Sequence, residues 1–101
     1  MKVIKTIVED IRDELDGAEH YAKLATQYKD ENRALADSYA KLAEAELGHV
    51  NSLHEQAVRI IKEQRAAGVE PPASMKAVWD WEHDKMVDNV SRIHTILNMY
   101  R

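Results

Sequence analysis

Cysteine does not occur in this chain. That absence excludes disulfides, thiolate metal sites and thiol nucleophiles together. Nor does any apolar run approach the roughly 20 residues needed to span a bilayer, so no membrane role is expected. From Met1 to Glu14 the apolar positions are interrupted by Lys5, Glu9, Asp10 and Arg12, a pattern of neither a signal nor a transit peptide. The expected location is cytoplasmic. A basic stripe is missing too: 14 Lys and Arg stand against 18 Asp and Glu, with both signs scattered along the chain. Nucleic acid and anionic membrane surfaces are therefore not expected partners. Proline occurs only as Pro71 and Pro72, and no β-strand pattern competes with the helical one.

What remains is helix. Hydrophobic residues make up 45% and charged residues 32% of 101 positions, the profile of one folded domain spanning residues 1–101. Apolar spacing predicts helices over about 3–28, 33–66 and 75–100. The polar cluster Lys29-Asp30-Glu31-Asn32 separates the first two, with Asp30 or Asn32 as the cap of the second helix. So short a connection implies an antiparallel hairpin. Gly68 is the expected stop of the second helix, Val69 to Ala73 the only real linker, and Ser74 the expected cap of the third. The fold class is all-α: a long antiparallel hairpin plus a third helix. It closes either as a three-helix bundle or as a hairpin that dimerises into four helices.

Steps of three and four trace one inward stripe per helix. In the first it reads Ile4, Ile7, Ile11, Glu14, Ala18, Tyr21, Ala25, Tyr28; in the second, Leu35, Tyr39, Leu42, Glu46, His49, Leu53, Gln56, Ile60. The third runs Met75, Trp79, Glu82, Met86, Asn89, Ile93, Ile96, Tyr100. Glu14, Glu46 and His49 thus stand where apolar residues belong, and buried carboxylates are costly unless paired, hydrogen-bonded or bound to metal. Glu46 and His49 are one turn apart and can reach the same point. Oxygen and imidazole donors suit iron, manganese or zinc better than calcium or copper(I). The competing reading is a buried hydrogen-bond network that fixes helix register in a non-enzymatic adaptor.

Di-iron carboxylate bundles use one Glu from each of two helices and Glu-x-x-His from each of the other two. One copy of this chain supplies half of that set, and two copies related by a twofold supply all of it. Off the stripes, His20, His54, His83 and His94 are expected in solvent, and Tyr21, Tyr28 and Tyr39 as core rings with a polar tip. Gly17 and Gly48 lie beside the three candidate ligands and either give room for close approach or are tolerated surface glycines. Trp81, off its stripe, either marks a partner-facing patch or lies over lysine stems.

Glu14 followed by Tyr21 within Glu-Leu-Asp-Gly-Ala-Glu-His-Tyr, then Ala43-Glu44-Ala45-Glu46-Leu47-Gly48-His49, resembles the first half of a ferritin-like domain of the rubrerythrin type. The resemblance covers about residues 5–60. It implies metal ligation by Glu14, Glu46 and His49 at a di-iron centre that oxidises Fe(II) with oxygen or peroxide. The second copy of the motif found in such proteins is lacking here. In size and half-bundle layout the chain resembles the encapsulated ferritins, which implies a ferritin-like four-helix bundle completed by homodimerisation, in an even-numbered oligomer inside a protein compartment shell. The resemblance further implies Tyr21 as a catalytic group that hydrogen-bonds a ligand or donates an electron. Glu82 would be an additional metal ligand, or a carboxylate handing iron inward. With no rubredoxin-like cysteines, peroxide reduction would need a separate electron donor.

Overall fold

Asn32 begins the second helix by accepting the backbone N–H of Leu35 on its side-chain oxygen at 3.1 Å, which satisfies a donor that the first turn leaves unpaired. At the other end of that helix, Gly68 adopts φ +80°, a left-handed conformation that side chains disfavour. There the Gly68 N–H bonds Arg65 O and the Val69 N–H bonds Gln64 O, the paired carbonyl capture of a Schellman stop. Pro72, not Ser74, occupies the cap position of the third helix, and no side chain caps it. The fixed φ of proline pre-forms that start two residues earlier than the hydroxyl would have.

The computed structural model describes residues 2–101. It contains three helices, α1 (Lys2–Tyr28), α2 (Arg33–Ala66) and α3 (Ala73–Tyr100), with no strand among the described residues. They form a rod of 56 × 18 × 18 Å. α2 runs back along α1, and α3 returns alongside α1, packing far more on it than on α2. Among the described residues no helix is long and apolar enough to cross a membrane.

The seam between α1 and α2 differs from the expected stripe. On α1 the buried set is Ile4, Ile7, Ile11, Leu15, Ala18, Ala22 and Ala25, so Leu15 and Ala22 take the places assigned to Glu14 and Tyr21. On α2 it is Ala36, Ala40, Ala43, Val50 and Ala57, one residue beyond the expected positions, while Leu35 and Leu42 are exposed. The physical reason is size. Alanine lets two helical backbones approach closely and removes little side-chain entropy, so the small residues face each other and the large ones are displaced to the flanks. In α3 the expectation holds for Glu82, Ile93 and Tyr100, which are buried with Leu97.

Polar clasps fix α3 in place. Arg12 of α1 grips Glu82 through both of its carboxylate oxygens, Nε donating to Oε2 at 3.1 Å. Arg92 reaches Glu19 at 2.9 Å. The Tyr100 hydroxyl donates to Asp37 of α2, beneath the Arg33 guanidinium that sits 4.8 Å from the ring centre. That hydrogen bond lowers the Asp37 pKa, and burial together with the same bond raises that of Tyr100. Trp81 is exposed, with the Lys85 ammonium 4.3 Å from its ring centre, in keeping with the lysine reading.

Candidate metal centre

Because the alanine seam occupies the line of contact, the flanking positions of α1 and α2 face each other across its edge. Glu14 projects from α1 on that edge, and Glu46 and His49 project from successive turns of α2. One ligand atom from each of the three lies within 4.8 Å of the others. The His49 Nδ1 is 3.3 Å from Glu14 Oε2, so an imidazole N–H donating to the carboxylate orients the ring. The second ring nitrogen then remains available as a donor atom, in the arrangement by which metal-binding histidines are held.

Burial departs from expectation. The Glu14 side chain is 30% exposed and that of His49 59%, with Glu46 half-buried between them. Within one chain the group therefore lies on an open flank of the hairpin rather than in its core. The same flank carries Leu35 and Leu42, at 37% and 45% exposure, with half-buried Tyr39 and Leu53 alongside.

Gly17 lies at the edge of the site. A Cβ at that position would stand 3.4 Å from Glu46 Oε2 and 3.6 Å from its Cδ, in ordinary van der Waals contact, so Gly17 borders the carboxylate without being required by it. Gly48 has open space where its Cβ would be. It is the tolerated surface glycine of the two.

The remaining candidates are elsewhere. Tyr21 is half-buried and its ring stacks on Tyr39 at 6.0 Å, with Tyr39 in turn 6.3 Å from Tyr28. Seven residues of helix place it about 10 Å along α1 from Glu14. Glu82 is not gathered with Glu14, Glu46 and His49. It is buried at the α1–α3 contact, and its hydrogen bond and ion pair with Arg12 hold its carboxyl below the usual range. His54 and His83 are half-buried rather than fully exposed, however: they pack with Trp79 between α2 and α3. Burial, and then the neighbouring His83, lower the His54 pKa. The signal that would have found His54 is its spacing from Val50 and Ala57, which places it on the true seam of α2.

No protein-family model, curated protein or solved structure matches this chain.

Proposed function

We propose that the chain is a ferritin-like protein that binds and oxidises Fe(II) at a centre shared by two copies. The observation that carries this reading is the convergence of Glu14, Glu46 and His49 ligand atoms within 4.8 Å. Each chain offers two carboxylates and one imidazole there, so a twofold pair offers four and two, the donor set of a di-iron carboxylate centre. Four carboxylates balance two divalent ions, which answers the cost of packing this charge against a second copy. The exposed Leu35 and Leu42 on the same flank supply apolar surface for that packing.

The donor chemistry fits iron, with manganese and zinc as competitors. When bound, iron supplies one-electron transfer to oxygen or peroxide. The chain's own residues do the rest. Glu14 and Glu46 concentrate the Fe(II) substrate and favour the more highly charged product by charge. His49, steadied by Glu14, contributes an imidazole nitrogen. Tyr21 is near enough along the flank to act as an electron reserve rather than as a ligand.

The test combines elemental analysis and light scattering with Fe(II) oxidation in air, followed by ferric absorbance. One ion per chain in an even-numbered oligomer, with oxidation faster than the protein-free rate, is expected. A metal-free protein after gentle preparation would leave the helical adaptor reading in possession. Stoichiometric binding without faster oxidation would leave a structural metal site.

A further inference from the structure

We propose that His54 and His83 form an acid-sensitive latch: when both imidazoles are protonated, the middle of α3 parts from α2 and the groove between them opens to water. The inference does not rest on the iron reading. The two rings are half-buried, come from different helices, and have centres 5.1 Å apart. Trp79 packs against both, 6.2 Å from His54 and 6.3 Å from His83. A neutral pair packs there as flat, weakly polar rings. A doubly charged pair repels at short range, where water screens it only in part.

The latch sits where α3 is least secured. At the start of α3, Glu70 of the linker reaches Lys76 at 3.0 Å and Arg65 of α2 at 3.8 Å. At its end, Tyr100 bonds Asp37 and Arg101 pairs with Glu44. Between these ties no hydrogen bond or ion pair joins α3 to α2 among the described residues. The helix is held instead to α1, by Arg12–Glu82 and Arg92–Glu19. A cavity of about 130 Å³ lined by both imidazoles, and a groove lined by His54, Leu47, Val50, Met86 and Val90, leave room for the parting. With both ends tied, α3 bows outward without leaving the bundle.

The charges around the pair do not offset two added protons. Arg12 and Asp16 of α1 and Glu82 and Lys85 of α3 line the cavity. Glu55 acts on His54 from α2, Asp80 stands one turn before His83, and His94 shares the groove with His54. Arg12 and Glu82 neutralise each other, and Asp16 offsets Lys85, so the cavity holds no spare carboxylate. Burial, and then His83, outweigh Glu55 and keep the His54 pKa below its ordinary value in the closed form. In the open form the ring is in water and takes up its proton near about 6.5. Acidification through that value therefore favours the open form, and a return to higher pH restores the closed one.

The chain has no cysteine, so Ser52→Cys on α2 and Asp88→Cys on α3 accept a specific pair of spin labels. Both positions are exposed and outside the two cavities. Pulsed EPR in EDTA buffer reads the distance between them. A longer-distance population is expected to grow as the pH falls from 8 to 5, while helical ellipticity is kept. His94→Gln should leave this growth unchanged, His83→Gln should move it to lower pH, and His54→Gln should remove it. An unchanged distance distribution across that range would overturn the proposal with no histidine variant needed. So would an opening as large in His54→Gln as in its parent, or a loss of ellipticity that tracks the longer distance, which is unfolding of the whole chain.

Discussion

Replacing Glu46 with glutamine should make the metal-free protein more stable and the metal-loaded protein less so. Ligand oxygens of Glu14 and Glu46 lie within 4.8 Å, a separation at which two unit charges repel by about 0.9 kcal/mol in water and about 3.5 kcal/mol at an effective dielectric of 20. Exposure decides between these limits. Glu14 is 30% exposed and Glu46 is half-buried on the same open flank, so solvent reaches the pair and a figure near the lower limit, about 1 kcal/mol, is the relevant one. For a domain of this size that raises the melting temperature by about 4–8 °C. The sign reverses with metal. Mn(II) at a hundredfold excess over its dissociation constant stabilises a binding-competent fold by about 2.7 kcal/mol, or about 11–22 °C. Glu46→Gln should forfeit that rise. Thermal unfolding by circular dichroism, with EDTA or Mn(II) and at one protein concentration, measures both arms. A variant that melts lower than wild type in EDTA yet keeps the full Mn(II) shift would refute the reasoning.

Arg12→Ala strands the buried Glu82 carboxylate, so the melting temperature should fall by more than for Lys23→Ala, whose partner Glu19 also has Arg92. Equal losses would show that the Arg12 clasp contributes no more than a surface ion pair. Gly17→Ala and Gly48→Ala should each stabilise the helix by up to about 1 kcal/mol, and neither should weaken Mn(II) binding, since a methyl at 17 makes only ordinary contact with the Glu46 carboxylate and one at 48 meets nothing. Calorimetric titration of the two variants checks this. In metal-free buffer, stability should fall as pH drops below about 6.5, the ordinary imidazole value. Folded His54 has the lowered pKa, so the unfolded chain takes up the proton first. His54→Gln should flatten that slope in melts between pH 8 and pH 5, and an unchanged slope would place the titration elsewhere.

Helix boundaries were legible because local chemistry sets them. Asn32 and Gly68 act where they stand, and only the start of α3 moved, from Ser74 to the proline before it. Which face turns inward was legible for most of α1, where Ile4, Ile7, Ile11, Ala18 and Ala25 are buried as expected, but not in α2. There two stripes run one residue apart, one bulky and one rich in alanine, and steps of three and four fit either. Choosing by bulk put Leu42 and His49 inside; close backbone approach puts Ala43 and Val50 there. The candidate ligands still converge, because residues beside a narrow seam face each other across its edge as residues within it would. The same one-residue rotation hid His54, and the Arg12–Glu82 clasp spans 70 positions, beyond the reach of any periodicity.

Six alanines, Ala18, Ala22 and Ala25 on one arm and Ala36, Ala40 and Ala43 on the other, lie between the hairpin bend and the acid–imidazole group. None of them is a ligand, yet together they act as the pivot of a calliper whose jaws carry Glu14 and Glu46. Widening the pivot by a few methylene groups would spread the jaws by ångströms, and a grip that demands donor distances correct to about 0.2 Å would open. If the proposed centre holds metal, its selectivity between a small cation and a larger one is thus adjustable from positions outside the donor set.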